Sequence, residues 1–268
     1  MTDPYSEEMG HAAEAGGRSE ADGGLGGGGA QGLAVPMVDM STDEEVAAAV
    51  VRQACTTLGF FKVANHGVPQ ALVDAFFEHC HRLFALPIAE KMAMLQDVNN
   101  RGYTPMAEET LDPGAQSAPD TKEGFYFGRE VALGSEEASK PLHGPNQWPD
   151  EASVPGFRDG ATQYYEALRG LAMRLLRLFA RALNLAPEFF DDKFTRPIVS
   201  LRPLHYSAQV SQPEAGTFGA GAHTDYGMLT ILATDDTPGL QIHVGGQWID
   251  VPPQHGTFII NIGDLLER

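Results

Sequence analysis

His223-Thr224-Asp225 places an imidazole and a carboxylate two residues apart. On a strand, residues i and i+2 point to the same face, so the two side chains are expected to project together. Two histidines and one carboxylate on one face of an ion hold non-haem Fe(II) and leave its other positions open. Taken alone, the motif is weak, and such pairs are usually just surface polar residues. Other groups of ligating types do not converge. His79-Cys80-His81 lies in a helical pattern, where neighbours point about 100° apart. The three cannot close on one ion and read as two solvated histidines flanking a core thiol. Asp235-Asp236 precedes Thr-Pro-Gly and reads as turn chemistry, and Asp191-Asp192 reads as a solvated acidic pair.

The elements that must position such a site follow from periodicity. Val35–Met40 predicts a short strand, and Ser41-Thr-Asp-Glu44 predicts a capping box opening a helix. That helix carries Val46, Ala49, Val50 and Ala54 at helical spacing and stops at Gly59. Residues 60–64 predict a strand. A second helix follows Pro69, with Leu72, Val73, Phe76, Phe77, Cys80 and Phe84 on one face. Residues 87–122 read as irregular surface loop, and 124–131 as a strand. The longest helical pattern runs from Pro155 to Leu185, its stripe formed by Leu168, Leu171, Leu175, Leu178 and Phe179. Beyond Arg196 come five strand-like pieces: Ile198–Tyr206, Met228–Ala233, Gly239–Val244, Gln247–Val251 and Thr257–Ile262. Gly245-Gly246 between two of them is a hairpin signal. Helices followed by many short strands predict a barrel or jelly roll with a helical layer packed on it.

Composition narrows the class. At 268 residues with 43% hydrophobic and 9% aromatic side chains, the chain can build one large core or two small ones. A net charge of −18 argues against nucleic acid or an anionic membrane surface as main partner, because both need clustered Lys and Arg. No run of 18 apolar residues is present, so a membrane-spanning helix is not expected. Cys55 and Cys80 cannot form a disulfide scaffold and fit a reducing, cytoplasmic compartment. Residues 1–32 are glycine-rich and acidic, lack the features of a leader, and read as a disordered tail.

Several motifs occur in order along residues 33–268. They are Val35-Pro-Met-Val-Asp39, Gly59–Pro69, Arg101-Gly-Tyr103, His223–Leu232, Gly239–Ile242, Trp248–Val251 and Asn261-Ile-Gly-Asp264. Their succession resembles the isopenicillin-N-synthase-like family of 2-oxoglutarate/Fe(II)-dependent dioxygenases. The resemblance implies an α+β fold with a mainly β core. That core would be a double-stranded β-helix (jelly roll, cupin-like) with an N-terminal helical region packed on it. It divides the chain into a tail (1–32), an N-terminal non-haem dioxygenase region (33–150) and a dioxygenase core (151–268). It makes His223 and Asp225 ligands of Fe(II), His66 a structural turn residue, and Tyr206 the group that holds the distal carboxylate of 2-oxoglutarate. A core aromatic is the other reading of Tyr206, and Leu204 stands where many plant members have Asn. The implied reaction uses O₂ and 2-oxoglutarate, with ascorbate as reductant, to hydroxylate or desaturate a small-molecule metabolite. Succinate and CO₂ are released. The implied protein is a cytoplasmic monomer with no nucleic-acid or membrane partner.

One departure is expected to matter. The family carries a second histidine ligand and an Arg-x-Ser pair beyond the segment matching Asn261–Asp264, and the chain ends at Arg268 before either. His243, on a hairpin strand, and His255, after Pro252-Pro253, match neither position. The expectation is therefore a C-terminally truncated fragment that lacks its third ligand and is inactive alone. Two other functions stay open: an oxidase of the same family that uses iron and O₂ without 2-oxoglutarate, and a non-catalytic binding module. Substrate choice is assigned to loop residues around 101–127 and to the part not present.

Overall fold

A computed structural model of the chain describes residues 34–267; the expected disordered tail at 1–32 lies outside them. The chain opens with strand β1 (Met37–Asp39), helix α1 (Glu44–Thr57) and strand β2 (Phe60–Ala64). The cap of α1 is Asp43, not Ser41. The Asp39 carboxylate takes both the backbone N–H and the hydroxyl of Ser41, which leaves Asp43 to accept from Glu45 and Val46. The buried face is also one position away from the expected stripe. Ala47, Ala48, Val51 and Ala54 are inside and Val46 is exposed, because a run so rich in alanine and valine fits either phase until a partner helix selects one. Gly59, at φ +72°, ends the helix and turns the chain into β2.

Helix α2 (Gln70–Phe84) buries Val73, Phe76, Leu83 and Phe84. The stretch expected to be irregular contains a short helix α3 (Ile88–Met92) and strand β3 (Gly102–Thr104) before strand β4 (Lys122–Gly128). Helix α4 (Phe157–Ala182) buries Leu171, Leu175, Leu178 and Phe179 as expected, with Leu168 packed at the edge. Phe76 stacks on Tyr164 at 4.4 Å between ring centres, joining α2 to α4.

The second half supplies β5 (Ser200–Leu201), β6 (Leu204–Tyr206), β7 (Leu229–Leu232), β8 (Gln241–Val244), β9 (Gln247–Asp250), β10 (Phe258–Ile262) and the terminal turn α5 (Asp264–Glu267). The single strand expected over 198–206 is broken at Arg202-Pro203, where Pro203 has no N–H to donate. Gly245 and Gly246, both at positive φ (57° and 80°), join β8 to β9 as the hairpin predicted. One sheet runs β1-β2-β10-β7, with β1 parallel to β2 and the other pairs antiparallel. A second is centred on β4, which pairs with β3, β5 and β6. Strands from both halves of the chain therefore share these two sheets, while β8 and β9 form a third, two-stranded one. Among the described residues no helix is long and apolar enough to cross a membrane.

Candidate metal centre

His223 and Asp225 are not on a strand. They lie in an irregular segment just before β7, whose backbone bonds go elsewhere than to a ladder. The Gly221 N–H goes to the Asp120 carboxylate (2.9 Å), and the Asp225 carbonyl accepts from Asp264 N (2.7 Å). The segment still brings the two side chains together, with His223 Nε2 3.7 Å from Asp225 Oδ1.

Each side chain is held by one end. His223 Nδ1 lies 2.9 Å from the Gly221 carbonyl oxygen. A carbonyl only accepts, so Nδ1 carries the proton and Nε2 of the neutral ring keeps its lone pair. Asp225 Oδ2 accepts from Thr230 Oγ1 (2.5 Å) and Asn261 Nδ2 (2.8 Å). Thr230 and Asn261 face each other across the β7–β10 pair, so the two donors reach one oxygen from neighbouring strands. Oδ1 remains on the His223 side. An imidazole nitrogen and a carboxylate oxygen turned toward each other, with no other hydrogen-bond partner among the described residues, suit a divalent transition metal. They are two donors. Among the described residues no third His, Cys, Asp or Glu joins them, so neither His243 nor His255 completes the set; His243 packs instead against the Trp248 ring at 4.9 Å.

Tyr206 ends β6, half exposed, opposite Lys122 of β4. Its ring lies over Gly219, where a Cβ would sit 3.2 Å from Tyr206 Cδ1. It is thus a surface-accessible ring beside the 219–225 segment rather than a core aromatic. The first residues of β4 meet both pieces: Lys122 faces Tyr206, and Asp120 just ahead of it holds Gly221. Burial pushes the Asp120 carboxyl up, but hydrogen bonds from Lys122, Gly221 and Gln116 outweigh it and hold the group below its ordinary range. Next to it, Glu123 accepts from Lys91 Nζ (2.7 Å), Tyr103 Oη (2.5 Å) and His205 Nδ1 (2.8 Å). Sequence reading did not single out Asp120, Lys122 or Glu123. Thr230 and Asn261 stood in quoted motifs without a role. Only burial and partners distant in sequence mark Asp120, Lys122 and Glu123, and no periodicity carries that signal.

The remaining clusters resolve as structure. His66 Nδ1 accepts from Val68 N at 3.1 Å and its ring packs on Phe258. His79 is half-buried, packing edge-on against Phe157 and contacting Arg82 at 2.8 Å, while His81 is exposed. Burial pushes the Cys80 thiol up to about 12, and both cysteines are free. Asp235 caps its own turn through Thr237 N (2.8 Å), while Asp191 pairs with Arg177.

Helices packed on mixed sheets, with a His-x-Asp pair at a strand entrance, define the class of the 2-oxoglutarate/Fe(II) oxygenases, and comparison with known proteins agrees. Residues 35–151 match the N-terminal family of non-haem dioxygenases in morphine synthesis, and residues 199–268 match the 2OG-Fe(II) oxygenase superfamily. The 2-oxoglutarate-Fe(II) type oxidoreductase hxnY of Emericella nidulans is 38% identical over 233 residues, covering 81% of this chain and 64% of that protein. The 2-oxoglutarate-dependent dioxygenase citB of Monascus ruber is 36% identical over 227 residues, covering 81% and 68%. The crystal structure of a full-length Neurospora crassa protein in complex with alpha-KG superposes with a TM-score of 0.74 at 28% identity, covering 88% of this chain and 75% of that one. The chain belongs to the isopenicillin-N-synthase-like family of 2-oxoglutarate/Fe(II) oxygenases, and its structural neighbours are oxygenases with a jelly-roll fold. It spans about two thirds of the length of the curated relatives named here.

Proposed function

We propose that this protein is an Fe(II)- and 2-oxoglutarate-dependent dioxygenase that oxidises a small-molecule metabolite with release of succinate and CO₂. His223 Nε2 and Asp225 Oδ1 would supply two of the protein ligands to the iron. Tyr206 would donate its hydroxyl to the distal carboxylate of 2-oxoglutarate. The observation that carries the reading is the division of labour at Asp225. Two donors occupy Oδ2, while Oδ1 is left beside a histidine whose other nitrogen is already engaged.

Bound iron supplies the activation of O₂ that side chains cannot perform. The chain's own residues hold and orient. Gly221 fixes the imidazole, Thr230 and Asn261 fix the carboxylate, and Tyr206 is free to meet a polar ligand. The core is read as a double-stranded β-helix. The division into 33–150 and 151–268 is supported by the separate family matches to 35–151 and 199–268. A cytoplasmic monomer without nucleic-acid or membrane partners accords with the net charge of −18. Small-molecule chemistry is supported by the Neurospora crassa relative, whose structure was also solved with alpha-KG and thymine.

The test is turnover. In the full-length protein, Fe(II)-dependent succinate release from 2-oxoglutarate should drop to a few per cent or less in His223→Ala and in Asp225→Ala, since each removes a direct ligand. Substantial activity in either variant would overturn the assignment.

A further inference from the structure

We infer that the buried Asp120–Lys122 pair at the start of β4 is a positioning device for His223, acting through Gly221 to fix which imidazole nitrogen is offered to a metal. The inference rests on reading His223 as a metal ligand and adds what sets that ligand's state.

The relay is continuous. Lys122 Nζ donates to Asp120 Oδ2 at 2.5 Å, and Asp120 Oδ1 accepts from Gly221 N at 2.9 Å. The carbonyl of the same Gly221 accepts from His223 Nδ1 at 2.9 Å. Gly221 is thus clamped at its amide by a carboxylate and presents its carbonyl to the imidazole. Asp120 is fully buried and Lys122 nearly so. Gln116 Nε2 adds a second donor to Asp120 Oδ1 at 2.8 Å, and Glu109 lies 3.3 Å from Lys122 on the other side.

Such an arrangement needs a reason. Burying an ion pair costs desolvation that an apolar pair of the same size avoids, so Asp120 and Lys122 are poor choices for stability alone. The segment they hold, Gly219-Ala-Gly-Ala222, has little side chain to fix its own path. An amide-to-carboxylate bond, charge-assisted and shielded from water, supplies that fixing. The space is matched too. A Cβ on Gly221 would overlap Gln116 Oε1 and come within 2.9 Å of Asp112 N. Further bonds stitch the same two loops, from Ser117 N to Gly216 O (2.9 Å) and from Thr121 N to Phe218 O (3.1 Å). Groups that hydrogen-bond the second nitrogen of a ligating histidine set its tautomer, and their loss commonly costs metal affinity tenfold or more. Here that group is a backbone carbonyl, and Asp120 is what holds it.

The experiment uses the whole chain, metal-free, with ¹⁵N-labelled histidine. Imidazole ¹⁵N–¹H correlation at mildly alkaline pH should show the His223 proton on Nδ1. Asp120→Ala/Lys122→Met, which removes the acceptor without stranding a buried ammonium, should keep a cooperative melt but release His223 into a mixture of tautomers. Its affinity for Co(II), the probe metal, should fall about tenfold or more. Asp120→Asn keeps an oxygen for the Gly221 N–H and should retain the Nδ1–H tautomer. A proton on Nε2 in the unaltered protein would overturn the relay, as would an unchanged tautomer in the folded double variant. His223→Ala separates the two ideas. Co(II) affinity indifferent to that change refutes the metal reading, while the tautomer measurement still judges the relay.

Discussion

Asp225 commits one carboxylate oxygen to the protein and keeps the other. Removing either donor to Oδ2, by Thr230→Val or Asn261→Ala, lets the carboxylate rotate and scatter Oδ1. Outer-shell changes of this kind cost about 10–100-fold in metal affinity, so Co(II) titration of each variant should show a loss of that order. Affinity equal to the unaltered protein in both would mean that Asp225 is not oriented by this pair. Tyr206 makes a second residue-level prediction. Its ring is accessible and its position is fixed by pairing with Lys122. A hydrogen bond to a charged group contributes about 1.5–3 kcal/mol, so Tyr206→Phe should raise the apparent KM for 2-oxoglutarate roughly ten- to a hundredfold without moving the melting temperature. An unchanged KM would leave Tyr206 as a wall of the cleft and nothing more.

At the scale of elements, the approach of the turn after β10 to the His-x-Asp segment is what the fold enforces. Gly263 sits against that segment so closely that a Cβ would overlap the Gly227 carbonyl oxygen and lie within 2.6 Å of Asp225 O. Both are backbone atoms and cannot swing aside. Gly263→Ala should therefore destabilise by about 1–3 kcal/mol through overpacking and should weaken Co(II) binding as well, because the atoms displaced belong to Asp225. A thermal melt and a metal titration on one sample check both halves; loss of neither would refute the close approach. Much of this scale was legible in the sequence. The Gly245-Gly246 hairpin, the break at Gly59 and the stripe of α4 each follow from one strong local signal, and all three stand in the structure. The His-x-Asp spacing gave the right convergence for the wrong reason: the two side chains meet, but the segment belongs to no strand or ladder. The phase of α1 escaped because alanines on both sides suit burial equally well. Elements α3 and β3 escaped because they are only five and three residues long, too short for a period to register; β3 exists through its pairing with β4. The supports of the site were the least legible, since Asp120, Lys122 and Glu123 acquire their meaning only from partners distant in sequence.

Over the whole molecule, β4 carries a line of buried charge that fastens the first half of the chain to the second. Asp120 reaches Gly221, and Glu123 gathers Lys91 and Tyr103 from one side and His205 from the other. For Glu123, burial alone would raise the carboxyl, but the bonds from Lys91, Tyr103 and His205 outweigh it and hold the group below its ordinary value of 4.5. Asp120 is depressed in the same way. A carboxyl depressed on folding binds its proton more readily in the unfolded chain. Its contribution is complete above the unfolded value and is lost as pH falls through the folded one. Melting temperature should therefore hold a plateau from about pH 8 to about pH 5 and fall steeply below it. Glu123→Gln strands Lys91, whose remaining partner is the Phe84 carbonyl at 3.0 Å, and breaking a buried pair from one side costs about 3–5 kcal/mol. Replacing both members, Glu123→Gln/Lys91→Met, should recover much of that loss, because no buried ammonium is left without a carboxylate. The double variant should also show a shallower acid limb than the unaltered protein, since one of the depressed carboxyls is gone. Calorimetric melts of the three proteins from about pH 3 to about pH 8 decide it: an acid limb equally steep in the double variant would place the acid sensitivity elsewhere than on β4.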